Sequence, residues 1–205
     1  MPDLRVPPGR AGRLWLRHRL AVAERGVALL EQKLRLLRAE LDRLRARLER
    51  TEQLWAARAT EADTWGLRAG VAGGRRAFRL AQPGELAEVH VHWTAIMGVH
   101  YPDQVDVVPP DEHADDLIVG NAALLRARKA YRLALEAAAR HAATNAAAEI
   151  VDAEVITTRQ RQRALRRHWI PRLRRALDDV ELALEEQERA EAVRRRWAAR
   201  ADARH

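Results

Sequence analysis

The chain has 205 residues, 4% of them aromatic and 32% charged, with a formal net charge of +8 and no cysteine. So little aromatic volume excludes a thick globular core, and the dominance of Ala, Leu, Arg and Glu belongs to long helices that bury one narrow seam. The positive balance suits an acidic partner surface, whether nucleic acid, anionic lipid or protein, and the missing cysteines exclude disulfides and Cys-based metal sites.

The N-terminal arm, 1–9, carries Pro7, Pro8 and Gly9, which discourage helix. A first helix is predicted over 10–65, fading near Gly66. Leu20, Val27, Leu34, Leu41, Leu48 and Trp55 lie in one row at seven-residue spacing, and Ala23, Leu30, Leu37, Leu44 and Thr51 lie in a second. Two such rows flanked by Arg, Glu and Gln make the seam of a left-handed coiled coil. At 1.5 Å per residue the helix would be roughly 75 Å long.

A central insert is expected over 66–115. "GLRAGVAGGRR" and "AQPGE" carry breakers, and "EVHVHWTAIMGVHYP" alternates Val89, Val91, Trp93, Ala95 and Met97 with more polar neighbours. That alternation predicts a short β-strand or hairpin. The following "DQVDVVPPDEHADD" is an acidic, proline-bearing loop that leads into a second helix, 116–200, starting near Asp115 or Asp116; a tail, 201–205, follows.

The second helix has its own seam, from Ala123, Ala127, Ala130, Ala134 and Ala137 through His141, Thr144, Ala148, Val151 and Val155 to Thr158, Gln162, Leu165 and Trp169. Small residues in its first half let a leucine-bearing helix approach closely. The fold class is therefore mainly α: a long antiparallel two-helix coiled coil with a small insert containing the strand or hairpin. Because the second helix is the longer, its C-terminal end is expected to pass the start of the first.

After Trp169 the seam continues as Ile170, Leu173, Leu177, Val180 and Leu184, one residue out of phase. The skip falls beside Pro171, an interior proline that forfeits a backbone hydrogen bond. Local unwinding, a kink or a π-bulge between Arg166 and Arg172 would absorb the extra residue.

Few constellations carry chemistry. His90, His92 and His100 invite a zinc reading, but neither a cysteine nor a clear third ligand accompanies them, and structural or solvent-facing histidines are the better reading. Gly70, Gly73 and Gly74 with Arg75 and Arg76 lack the order of a phosphate-binding loop. Asp178, Asp179, Glu185 and Glu186 are expected to pair across turns with residues such as Arg175 and Arg189. No catalytic, cofactor-binding or metal-ligating residue is assigned. Arginine rows at Arg10, Arg13, Arg17 and Arg19, and at Arg189, Arg194, Arg195, Arg196 and Arg200, read either as solvated helix faces or as a surface that meets acidic residues of a surrounding assembly. No segment approaches the roughly 18 apolar residues of a membrane span, and the opening lacks a secretory signal, so a soluble cytoplasmic protein is expected.

The C-terminal "RQRALRRHWIPRLRRALDDVELALEEQERAE" resembles the terminal helix of the D subunit of the vacuolar and archaeal-type rotary ATPases. Ala164 and Leu165, then Ile170, Pro171, Arg172 and Leu173, then Glu186, Glu188, Arg189 and Glu191 stand at the family's motif positions. "RLWLRHRLAVAERGVALLEQK" is similar to the family's opening helix, at Leu14, Leu16, Leu20, Ala21, Ala23, Gly26, Leu29, Leu30 and Lys33, and "IMGVHYP" resembles a short central segment. The chain departs from the family at Pro8, where threonine is usual, and at Ala192 and Val193, where aromatics are usual.

The resemblance implies a non-catalytic central-stalk rotor subunit. Its partners would be the catalytic and regulatory ring subunits, a small central-stalk subunit and a membrane-ring adaptor, with no nucleotide bound by the chain itself. The implied place is the cytoplasmic face of the membrane, peripheral to it, in a complex that couples ATP hydrolysis or synthesis to ion translocation. The arginine rows would be the rotor's contacts with the ring and Pro171 its kink. A basic coiled-coil scaffold or nucleic-acid-binding protein is the alternative that composition alone allows.

Overall fold

A computed structural model describes residues 5–80, 86–110 and 122–202. In chain order the elements are helix α1 (Gly9–Leu80), strands β1 (Glu88–Ile96) and β2 (Val99–Val108), helix α2 (Ala122–Ala164), a π-helical turn (Leu165–Trp169) and helix α3 (Ile170–Asp202). The two strands form one antiparallel hairpin. The mainly helical architecture with a central hairpin matches the sequence expectation. The expected start of the second helix at Asp115 or Asp116 lies outside the described residues.

Contacts divide the chain into two compact units, Met1–Leu34 with Thr157–His205, and Arg35–Ile156. In the first, Leu16, Ala23 and Val27 of α1 bury against Ile170 and Leu173 of α3, with Val6, Leu20, Leu165, Trp169 and Leu177 packed around them. Ion pairs cross between the helices: Arg10 with Glu188 at 3.2 Å, Arg17 with Glu181 at 2.6 Å, Glu24 with Arg174 at 2.8 Å, and Glu31 with Arg166 at 3.2 Å. Each heptad forward on α1 meets a partner one heptad or so back along the chain, so the helices are antiparallel. Every one of these pairs is largely solvent-exposed and worth little alone. Their common spacing fixes the register.

From Glu185 to Arg200 every residue of α3 is exposed. With Glu188 already opposite Arg10, α3 carries on past the start of α1, and the expected overhang is present.

Before α1 begins, the arm folds back across it, placing Val6 against the buried cluster. Gly12 makes this possible, because a Cβ there would overlap the Pro7 carbonyl oxygen and press on Val6 Cγ1. Gly12→Ala should therefore displace the arm. Loss of the half-buried Val6 contact opposes a helix-propensity gain of about 1 kcal/mol from Gly to Ala, so global stability should shift by less than about 1 kcal/mol. Trypsin cleavage after Arg5 should accelerate severalfold, and an unchanged rate would show that the arm does not depend on Gly12.

In the second unit, α1 buries Leu37, Leu41, Leu44, Ala62 and Ala69, while α2 buries Leu124, Ala127, Ala130, Ala134, Ala137, Thr144, Ala147, Ala148 and Val151. The small side chains of α2 admit the leucines of α1 at close range. Arg45 pairs with Asp152 at 3.2 Å, Trp55 stacks on His141 with ring centroids 5.2 Å apart, Ala62 packs with Ala130 and Ala134, and Ala69 packs with Leu124 and Ala127. This pairing too is antiparallel.

Helix α1 does not fade at Gly66. There the missing side chain leaves room for Tyr131, whose hydroxyl would stand 2.7 Å from a Cβ. The break comes at Gly74, with φ 63° and ψ −175°, a conformation open to glycine because it lacks a Cβ. Gly70 stays helical, with Phe78 close to it.

Candidate functional site

A subunit without catalytic groups acts through its joints and its exposed faces. The first joint is the π-turn. At its end the Ile170 N–H donates to the Leu165 carbonyl, five residues back, in place of the usual four. The wide turn takes up one extra residue, which is the skip seen in the seam. Leu165 and Trp169 pack on one side of it, and Ile170 and Leu173, 7% and 0% exposed, take over the seam on the other. Pro171 follows directly. Lacking an N–H, it has no α-helical bond to make, and the widened turn relieves the clash of its ring with the preceding backbone. The deviation expected between Arg166 and Arg172 is thus found.

The second joint attaches the hairpin. Met97 and Gly98, with φ of 50° and 79°, make its two-residue turn, and both adopt the left-handed backbone that matches strand twist. Val99, Tyr101, Pro102 and Val105 of β2 are buried, whereas β1 is exposed along almost its whole length. The Tyr101 hydroxyl donates to Glu40 Oε1 at 2.8 Å, and Glu40 also receives Arg43 through bonds of 2.7 to 3.2 Å. Arg47 donates to the Asp103 carboxylate at 2.7 Å and to the Asp103 carbonyl at 2.6 Å. Asp103 is available because it is the unmatched residue where the strand register shifts.

Burial, followed by the bond and charge of Glu40, raises the Tyr101 pKa above its ordinary value. A raised tyrosine pKa means that the neutral form is favoured in the folded state. Its contribution is whole below the unfolded value of about 10 and is lost as pH rises through the folded value. Hairpin docking should therefore be constant through neutral pH and fail only in strong alkali. Tyr101→Phe should cost about 1 kcal/mol, since Glu40 keeps Arg43, and should abolish that alkaline step in a pH series of chemical denaturation. A step that survives in Tyr101→Phe would assign it to another group.

The structure sorts the arginine rows. Arg10 and Arg17 are spent on Glu188 and Glu181. Arg19 lies over Trp15, 4.9 Å from the ring centroid. Arg13 is half-buried, and its Nε has no hydrogen-bond partner among the described residues. Arg189 and Arg195 pair with Glu185 and Glu191 one turn back, at 3.5 and 3.2 Å. Arg175 donates to the Pro171 carbonyl at 3.4 Å where a carboxylate partner was expected. Arg194 and Arg196 are exposed, with no partner among the described residues. Sequence reasoning missed the interhelical partners Glu24, Glu31 and Arg174, whose heptad spacing is the signal that could have found them, and missed Glu40.

The histidines are taken up pairwise. His92 Nε2 lies 2.8 Å from Asp106 Oδ2, and His90 Nε2 lies 3.4 Å from Glu88 Oε2. Among the described residues no group of three or more ligating side chains is gathered, and no helix is long and apolar enough to cross a membrane.

Among curated proteins no match was found. The family model for the ATP synthase D subunit matches residues 14–200, a span that takes in nearly all of α1, the hairpin, the π-turn and nearly all of α3. On that extent of agreement the chain belongs to the ATP synthase D-subunit family.

Proposed function

We propose that this chain is the central-stalk rotor subunit of a V/A-type rotary ATPase, non-catalytic itself, coupling ATP hydrolysis or synthesis in a ring of catalytic and regulatory subunits to ion translocation in a membrane sector. The family match over 14–200 carries the reading. It is supported by the mechanics of the helices. A torque-bearing pair must resist sliding of one helix along the other, and the seam and its ladder of ion pairs oppose sliding at each heptad. The proposed parts are an arm (1–9), two helical segments (10–65 and 116–200), an insert (66–115) and a tail (201–205).

The exposed end of α3 is the proposed ring contact. Arg194 and Arg196, unpaired among the described residues, and Arg189 and Arg195, held only by exposed carboxylates, can exchange partners on successive ring subunits. Arg10, Arg13, Arg17 and Arg19 are proposed to support the same end. A small stalk subunit and a membrane-ring adaptor are the further proposed partners, with the complex at the cytoplasmic face of the membrane. Purification of the tagged chain from its own cells under native conditions should recover ring-forming ATPase subunits and a small stalk subunit in fixed proportion. Recovery with nucleic acid alone would overturn the reading in favour of a basic coiled-coil binder.

A further inference from the structure

Between Arg79 and Arg126 the sequence contains no lysine or arginine but five aspartates and three glutamates, a formal −8 inside a chain of +8. The hairpin stands in this acidic stretch. Its strand β2 is held to α1 by Tyr101 and Asp103, and β1 is the outer strand of a two-stranded sheet. One edge of β1 therefore has no strand partner among the described residues.

Exposed edges are normally protected by lysine, proline, a bulge or shortness. Strand β1 has none of these. It runs nine residues, EVHVHWTAI, and the register irregularity leaves its unmatched residue, Asp103, on β2. One face of the ribbon presents Val89, Val91 and Trp93, at 49%, 42% and 63% exposure. The other face carries Glu88, His90, His92 and Asp106. A free backbone edge, an uncovered apolar face and a carboxylate-rich surround specify one kind of occupant.

We propose that β1 is a docking edge for an extended, basic, strand-forming segment of another protein, which adds to the hairpin as a third strand. Backbone hydrogen bonds along β1 would supply affinity. Alternate apolar side chains would cover Val91 and Trp93, and lysines or arginines would meet Glu88 and Asp106. A second copy of the chain fits poorly, because pairing two such hairpins sets carboxylates against carboxylates. The proposal stands apart from the rotor reading, since it depends on the hairpin and not on what the helices do.

The test uses the full-length chain and three synthetic peptides: one alternating arginine with valine, the same peptide N-methylated at alternate residues, and a version with glutamate for arginine. The basic peptide should bind and slow amide exchange across 88–96, more weakly at high salt. N-methylation should weaken binding at least about tenfold by removing backbone donors, and the acidic peptide should not bind. Trp93→Ala should weaken the basic peptide about threefold to fivefold, with retained exchange protection of β2 showing that the hairpin is intact. Equal binding of the N-methylated peptide, or binding without slowed exchange in β1, would overturn strand addition. Failure of the basic peptide to bind, or equal binding of the acidic one, would overturn the basic occupant. Protection of β1 that grows with protein concentration alone would identify a second copy as the occupant and overturn the proposal likewise.

Discussion

ATP hydrolysis by the assembled complex should fall to near background when a single cysteine replacing Glu191 is joined by a disulfide to a cysteine placed in the surrounding ring, and should return on reduction. Glu191 suits the test because it is exposed and pairs only with Arg195, one turn along α3, so its replacement disturbs no packing. The chain has no cysteine of its own, so the new thiol is unique. No nucleotide-contacting atom is altered. Hydrolysis stops only if the sites depend on this segment turning past them, which is the content of the rotor reading. A control separates tethering from damage: cysteines at Arg10 and Glu188, bridged by a short thiol-reactive linker, join two residues that already pair at 3.2 Å within the chain. That bridge restrains nothing that must rotate, and activity should persist. An efficient Glu191 crosslink that leaves hydrolysis intact would point instead to a static scaffold.

The seam was legible because burial needs only a repeating pattern. Leu34, Leu37, Leu41 and Leu44, placed on the seam by spacing alone, are among the buried residues. The π-turn was legible for a related reason: a one-residue skip in a seam must be stored somewhere, and Pro171 marked where a helical bond was already missing. Glycine was read less well. Gly66 and Gly74 look alike in sequence, yet one serves the close approach of Tyr131 inside a continuing helix and the other breaks the helix with a positive φ. The difference lies in a partner 65 residues away, which no local rule sees.

The hairpin shows the same limit. Alternation predicted the strand, but period two does not say which strand will be covered. That choice is made by Glu40 and Arg47, distant in sequence, which hold β2 through Tyr101 and Asp103 and leave the valines and tryptophan of β1 outside. Arginine rows were ambiguous for a similar reason. Arg17 and Arg194 have the same chemistry, and only the facing helix shows that Arg17 is bound to Glu181.

The phase stored in the π-turn permits a sharper test than substitution of its proline. Deleting Arg167, whose side chain is exposed, removes the extra residue and lets the segment close into regular α-helix. Each residue of an α-helix turns it by about 100°. Everything after the deletion would therefore be rotated by about that angle relative to α1, or the upstream seam would be rotated in its place. If α3 turns, Ile170 and Leu173 swing out of the cluster formed with Leu16, Ala23 and Val27, and Arg174, Glu181 and Glu188 leave Glu24, Arg17 and Arg10. Exposing two large buried side chains costs about 1.5–3 kcal/mol each, while the exposed ion pairs add little. The deletion should thus destabilise by roughly 3–6 kcal/mol, a large share of the about 5–15 kcal/mol that holds a typical domain folded. Pro171→Ala keeps the residue count and hence the phase. Because the wide turn already relieves the ring, that substitution should stabilise by well under the roughly 3 kcal/mol of an ordinary interior proline. Urea unfolding of the two variants, with amide exchange followed over 160–180, measures the contrast. A deletion variant as stable as the parent would show that the π-turn stores no register, and that the seam tolerates either phase.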